Sequence, residues 1–118
     1  MSEPFKFSVN GIEYLQEDID TFKQFDLCIE AAPITYSMTD NPLSFVDALN
    51  NMPRDKRKFL IELIMPAIKR NDHGHWCPVY AQGIMAYPDI DAADLTFILV
   101  NVINRYIIDF VKKIDLLT

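Results

Sequence analysis

Two short runs of alternating apolar and polar residues open the chain. Residues 5–9 read FKFSV and residues 12–15 read IEYL, with an Asn-Gly pair at 10–11 between them. Asn-Gly is a strong signal for a two-residue hairpin turn, because both turn positions need a positive φ. In such a hairpin Phe7 faces Tyr14, so one face is apolar and aromatic. A lone hairpin is unstable in water, and we therefore expect this face to pack on helices or on a neighbouring chain.

Apolar residues at helical spacing dominate the rest of the chain. They predict four helices, over residues 18–32, 42–50, 53–70 and 91–116. Pro42 and Pro53 are expected to begin the second and third helices. Pro33 is expected to end the first helix and Pro66 to kink or break the third, because proline lacks an N–H. In the first helix the apolar spacing runs through Ile19, Phe22, Phe25 or Asp26, and Ile29.

The longest amphipathic pattern lies in the last predicted helix. Asp91 and Asp94 have the spacing of a capping box at its start, and apolar positions recur over about 24 residues, or roughly 36 Å. Phe97, Val100 and Ile108 lie beside the main apolar stripe and widen it. Two interpretations stay open: a broad core helix, or a helix that serves both the core and an interface.

Residues 71–90 interrupt the helical pattern. They contain two of the three glycines, both histidines and the single tryptophan, and short extended pieces are possible near 79–80 and 84–87. The chain is long enough for one core, and its pattern predicts a single domain over residues 1–118. We expect a mainly α fold with a small N-terminal β-hairpin.

The net charge of −6 disfavours nucleic acid as the main partner, because binding a phosphate backbone relies on lysine and arginine. The charge is uneven, since residues 1–51 carry nine acids and two bases, whereas residues 52–70 carry six bases and two acids. Such a molecule can associate head to tail with copies of itself, although a solvated surface of mixed charge explains the same pattern. Within the basic region, residues 54–58 form either an exposed helical turn or a docking patch for an acidic protein.

No segment approaches the roughly 20 apolar residues of a membrane span. The first residues, Met-Ser-Glu-Pro, do not resemble a signal peptide. Cys28 and Cys77 are far apart in the sequence, and a chain of this length does not need a disulfide. These features predict a cytosolic protein with free thiols and no membrane contact.

One cluster of potential metal ligands is present, formed by His73, His75 and Cys77. An extended strand would place these alternate residues on one side, and a tetrahedral site would need a fourth ligand such as Asp72 or Cys28. The paired spacing of zinc motifs is missing. The alternative is a surface loop with incidental histidines, and we expect no bound metal, no cofactor and no catalytic residue.

The segment 5–14, FKFSVNGIEY, followed by short helices, resembles the tail assembly chaperones of long-tailed, siphovirus-type bacteriophages. Those small, acidic proteins open with a similar apolar-x-apolar-x-apolar-Asn-Gly-x-x-Tyr segment. The resemblance covers the first 15 residues and the general layout of the rest, whereas residues 71–90 match nothing in the family.

The resemblance implies a non-enzymatic protein of the host cell cytoplasm. Such a protein binds the helical, aggregation-prone tape measure protein and keeps it soluble during tail assembly. It also implies a longer form made by translational frameshifting, which recruits the tail tube protein, and it implies homo-oligomers. We expect the partner-binding residues to be Phe5, Phe7, Phe97, Val100 and Ile108.

Two other functions stay open from the sequence. One is a small phage or bacterial inhibitor or regulator that binds a host protein through an acidic surface. The more remote alternative is a metal-dependent enzyme that uses His73, His75 and Cys77.

Overall fold

Strands and helices alternate in blocks along the chain. The structure, a computed structural model, describes residues 4–35 and 42–118. Its helices are α1 (Thr21–Thr35), α2 (Pro42–Asn51), α3 (Arg54–Ile64) and α4 (Ala92–Leu117). Its strands are β1 (Phe5–Val9), β2 (Ile12–Gln16), β3 (Ile68–Asp72), β4 (His75–Pro78), β5 (Tyr80–Ala81) and β6 (Ile84–Met85). Over these ranges the fold is α+β.

An antiparallel sheet of β1 to β4, in chain order, crosses the middle of the fold. Helices α1 to α3 are inserted between β2 and β3, and a second sheet of β5 and β6 precedes α4. The predicted hairpin register is confirmed, because Phe7 pairs with Tyr14 and Val9 with Ile12. The Phe7 and Tyr14 rings stack with their centroids 5.7 Å apart. Both side chains are buried in one core with helical residues, as the apolar hairpin face predicted.

The expectation of a mainly α fold with a small N-terminal hairpin is wrong. The predicted third helix, 53–70, begins at Arg54 and ends at Ile64. Pro66 then sits in a 3-10 turn, because it cannot donate the next helical hydrogen bond. The chain leaves this turn in extended conformation, and β3 pairs with β2. The residues read as the end of a helix are therefore a central strand of the larger sheet.

Strands β3 and β4 form a second hairpin that the sequence pattern did not predict, and its turn is His73-Gly74. Both residues have positive φ, 53° and 90°, as a type I′ turn requires. Asn10-Gly11 has the same conformation, with φ of 53° and 78°. Histidine is a rarer first residue of such turns than asparagine, so this hairpin was assigned to the irregular region 71–90. That region holds β4, β5 and β6, and its strands near 80 and 84 agree with the expected extended pieces.

The other helix limits need smaller corrections. Helix α1 continues through Pro33 to Thr35, because a proline removes only its own donor and the following residues can complete the last turn. Helix α2 begins at Pro42 as expected. Pro53 precedes the first residue of α3 and is its N-cap. The segment between the first two predicted helices includes residues 36–41, which lie outside the described residues.

Helix α4 supplies the largest share of the helical core. The predicted capping box is confirmed, because Asp91 Oδ1 accepts a hydrogen bond from the Asp94 N–H at 2.8 Å and Asp94 Oδ2 accepts one from the Asp91 N–H at 3.3 Å. The buried side chains of α4 are Ile98, Leu99, Val102, Ile103, Tyr106 and Ile107. They pack against the sheet face that carries Phe7 and Tyr14.

The capping box gives a first prediction for stability. Asp91→Ala removes the acceptor for the Asp94 N–H, and we expect the free energy of unfolding to fall by about 1 kcal/mol. Asp91→Asn is the matched control, because asparagine caps helices about as well as aspartate. This variant should keep most of the stability that Asp91→Ala loses. Urea denaturation followed by circular dichroism measures both effects. Equal losses in the two variants would contradict a role for the cap.

Candidate protein-binding surface

Helix α1 carries apolar side chains on two opposite faces. Leu27, Cys28 and Ala31 are buried and fix the helix to the core. Phe22, Phe25 and Ile29 follow at intervals of three and four residues and lie on the other face. The sequence pattern suggested that this second set, with Ile19, would form one apolar face. In the structure Ile19 is buried before the helix begins, whereas the other three point outward.

The outward face is strongly exposed. Phe22 is 83% exposed, Phe25 58% and Ile29 48%. We call Phe22, Phe25 and Ile29 the α1 stripe. A single exposed apolar residue is ordinary on a protein surface, but three at helical spacing on one helix form a contiguous patch. Patches of this kind mark sites that bind another molecule.

A groove of about 410 Å³ lies between α1 and the second half of α4. Phe25 of the α1 stripe forms part of its α1 wall, Phe110 part of its α4 wall, and the buried thiol of Cys28 lies between them. Arg105 and Lys113 add positive charge to the lining of this α1–α4 groove. Asp18 and Asp109 add negative charge to the same lining. The groove therefore combines an aromatic interior with charges of both signs, as helix-binding grooves do.

A buried hydrogen-bond network holds α4 in place beside this groove. Gln16 at the end of β2 is almost fully buried, and its Nε2 donates to Tyr106 Oη over 2.7 Å. Its Oε1 accepts a hydrogen bond from Arg105 Nη1 over 3.2 Å. The guanidinium of Arg105 also lies 3.5 Å from Asp18 Oδ1. Both polar atoms of a buried glutamine are thereby satisfied, which favours one register of α4 on the sheet.

Arg105 connects the network to the hairpin. Its guanidinium carbon lies 5.0 Å from the centroid of the Phe5 ring and 5.0 Å from that of Tyr106. Both distances are within the range of cation–π attraction. Phe5 in turn stacks on Phe7 with centroids 5.4 Å apart. Phe5 is consequently only partly exposed, beneath an arginine.

The five residues expected to bind a partner differ in how much of each side chain is exposed. Phe97 and Ile108 are 43% and 49% exposed, and Val100 is partly buried against the core. Phe5 is partly buried as described, and Phe7 is buried. Their role in partner binding stays a prediction. Of the five, Phe97 and Ile108 offer the most accessible apolar surface.

The structure does not bring the potential metal ligands together as a cluster. His73 lies in the exposed β3–β4 turn, where its Nδ1 is 2.6 Å from Asp72 Oδ1. His75 is exposed, and Cys77 is partly buried. Within residues 4–35 and 42–118, no group of three or more histidine, cysteine, aspartate or glutamate side chains is arranged to hold a metal ion.

Tyr87 is the most perturbed titratable group near these residues. Burial of its ring and hydrogen bonds with Asp72 and Cys77 raise its pKa to about 12. The Arg70 guanidinium stacks 4.4 Å from the ring centroid and binds Asp89 over 2.9 Å. Hydrogen bonds from His73 and Tyr87 lower the pKa of Asp72. Because Tyr87 is held neutral and Asp72 charged, their contact is suited to hold the segment around Tyr87 against β3 and is not suited to proton transfer.

Comparison of the chain with protein-family models, with curated proteins and with solved structures found no significant match. Among the described residues, no helix combines the length and the apolar character needed to cross a membrane. Cys28 and Cys77 are both free thiols, in agreement with the expectation from the sequence.

The α1 stripe is the part of this surface that the sequence did not reveal. Its helical spacing is visible in the sequence, but spacing alone does not say whether that face meets the core or the solvent. The available signal was the second apolar set, Leu27, Cys28 and Ala31, which gives the helix apolar residues on both sides. A helix that is apolar on two faces needs two neighbours, and the described residues supply a neighbour for only one of these faces.

The buried network gives a second prediction. Tyr106→Phe removes the acceptor of Gln16 Nε2 and leaves a buried donor unpaired, which should lower the free energy of unfolding by about 1–3 kcal/mol. The double variant Gln16→Leu with Tyr106→Phe should lose less than the sum of the two single losses, because neither the Gln16 amide nor the Tyr106 hydroxyl is then left unpaired by loss of the other. Urea denaturation of the four proteins measures the coupling. Additive losses would show that the two side chains act independently.

The two thiols give a third prediction. Burial raises the pKa of the Cys28 thiol, so less of the reactive thiolate is present at neutral pH than in an exposed cysteine. We expect iodoacetamide to alkylate Cys77 faster than Cys28 in the native protein. Mass spectrometry of the digested protein measures both rates, and the difference should disappear in denaturant. Faster reaction at Cys28 in the native protein would mean that the α1–α4 groove opens to the reagent.

Proposed function

We propose that this chain is a non-enzymatic protein-binding protein that covers an apolar helical segment of its partner. The observation that carries the proposal is the exposed α1 stripe beside the α1–α4 groove. Phe22 and Phe25 are aromatic, and aromatic residues contribute the largest share of binding energy in many interfaces. They stand on a helix that is held to the core from its other side, so the surface is present before the partner arrives.

The nature of the surface favours a helical partner. The α1–α4 groove has aromatic residues on both walls and charges of both signs in its lining. An amphipathic helix can insert its apolar side chains between Phe25 and Phe110 while its polar residues meet Arg105, Lys113 and Asp109. A polar or nucleic-acid ligand would leave the exposed phenylalanines uncovered.

Within this class, we propose a tail assembly chaperone of a long-tailed bacteriophage. The support is the resemblance of residues 5–14 to the opening segment of that family, together with the exposed apolar surface that a protein of this function needs. The partner is then the tape measure protein, a longer frameshifted form recruits the tail tube protein, and the complex forms in the host cell cytoplasm.

A second candidate, a regulator that binds a host protein through an acidic surface, is favoured by one observation. Asp26 is exposed between the residues of the α1 stripe, and Asp18 and Asp109 line the adjacent groove. Binding that depends on these charges weakens as salt rises, because exposed charges are screened. Binding that depends on the phenylalanines does not weaken in this way. Salt dependence of the complex therefore separates the two functions.

The test of the proposed function is co-expression with the tape measure protein encoded by the same phage genome. We expect the two proteins to co-purify and the tape measure protein to become more soluble. Replacing a binding aromatic commonly costs about 2 kcal/mol or more, which corresponds to a roughly 30-fold higher Kd. Phe22→Ser with Phe25→Ser should therefore abolish co-purification.

Ile84→Ser is the matched control, because Ile84 is 69% exposed but lies on β6 and takes no part in the α1 stripe. It should bind as the unchanged protein does, and circular dichroism should show that all variants are folded. Failure of the unchanged protein to co-purify, with the solubility of the tape measure protein unaltered, would contradict the chaperone proposal. Loss of the complex in high salt with unaffected phenylalanine variants would favour the acidic regulator.

A further inference from the structure

The last three turns of α4 project beyond the core. All buried residues of this helix lie between Ile98 and Ile107. From residue 108 to residue 118 every side chain is exposed except that of Phe110, which is partly buried. We call residues 108–118 the α4 tail. A short helical segment gains little stability from its backbone alone, so an apolar projecting helix is a surface suited to packing against another element.

One face of the α4 tail is apolar and contains a single carboxylate. Ile108, Val111 and Ile114 follow at intervals of three residues and are 49%, 57% and 49% exposed. Asp115 lies four residues after Val111, and in projection it falls between Val111 and Ile108. This face is distinct from the side of α4 that carries Phe110 and lines the α1–α4 groove.

A second groove is lined by residues of α2, α3 and the first half of α4. Its volume is about 300 Å³. Its lining is mainly aliphatic and includes Val46, Leu49, Leu60, Ile61, Leu95 and Leu99. We call it the α2–α3–α4 groove. It is suited to receive branched aliphatic side chains from one face of a helix.

Arg57 lines the α2–α3–α4 groove and favours an occupant that carries a negative charge. Its Nε atom is buried without a hydrogen-bond partner in the part of the chain that the structure describes. Buried N–H groups are nearly always paired, and one that lacks an acceptor is costly. The groove is therefore complementary to an apolar surface that carries one carboxylate, and the α4 tail with Asp115 has this character.

We infer that the α4 tail of one copy docks in the α2–α3–α4 groove of a second copy, with Asp115 facing Arg57. The tail cannot fill the groove of its own molecule, because Leu99 and Asp115 belong to one continuous helix and lie roughly 24 Å apart along its axis. Because donor and acceptor surfaces differ, one copy of a joined pair can keep a free groove and the other a free tail, and further copies then add head to tail.

Sedimentation velocity at increasing protein concentration tests the inference through a charge exchange. The unchanged protein should show a mass that rises with concentration beyond that of one copy. Arg57→Glu and Asp115→Arg should each remove this rise, because they place like charges together, and the combined variant should restore it. Lys58→Glu is the matched control, because it reverses a charge at an exposed position of α3 that does not line the groove, and it should associate as the unchanged protein does.

A mixing experiment tests the head-to-tail geometry. Arg57→Glu keeps an intact tail, whereas Ile114→Ser keeps an intact groove, so the mixture should form pairs and grow no further, while each variant alone stays a single copy. Circular dichroism shows that the variants are folded. A constant single-copy mass of the unchanged protein, association of the single charge variants, or failure of the combined variant to associate would each overturn the inference.

This inference stands apart from the proposed function. It uses the outer face of the α4 tail, whereas partner binding uses the α1 stripe and the α1–α4 groove. Arg57→Glu should therefore co-purify with the tape measure protein even though it no longer self-associates. If both statements hold, Arg57→Glu loses only self-association and the phenylalanine variants lose only the partner. If the unchanged protein lacks one of the two properties, the statement about that property fails.

Discussion

The structure depends on covering one apolar face of a four-stranded sheet with a single helix. Phe7, Tyr14 and Ile68 place their side chains on that face, and the middle of α4 supplies the helical residues that bury them. Shape alone would leave the helix free to slide along such a face. The buried pair Gln16–Tyr106 restricts this sliding, because any other register would leave the amide of Gln16 unpaired in the core.

Both candidate binding surfaces follow from that contact. The buried residues of α4 end at Ile107, and in the remaining three turns every side chain except the partly buried Phe110 is exposed. Helix α1 packs beside α4 through Leu27, Cys28 and Ala31, which leaves Phe22 and Phe25 outside. The exposed apolar residues are therefore the consequence of a core that is complete without them.

Local signals in the sequence predicted turns and helix starts. They did not predict which distant segments of the chain pack or pair with each other. Asn10-Gly11 fixed the first hairpin, and Asp91 with Asp94 fixed the start of α4, because the interacting groups are at most three residues apart. The strand at Ile68–Asp72 was missed because it is defined by pairing with β2, more than fifty residues earlier. The orientation of α1 was missed for the same reason, since two apolar faces competed for one core and only tertiary packing decides between them.

The geometry of α4 also decides how partner binding and self-association relate to each other. On this helix Phe110 and Lys113 face α1, whereas Ile108, Val111 and Asp115 face away from it. A helix held in the α1–α4 groove therefore leaves the outer face of the tail accessible, and a neighbouring copy on that outer face leaves the groove open. Copies joined head to tail would repeat the α1 stripe at regular intervals along the assembly. An array of this kind suits a partner that is much longer than one copy, because each repeat can cover one segment and the weak contacts add up through multivalency.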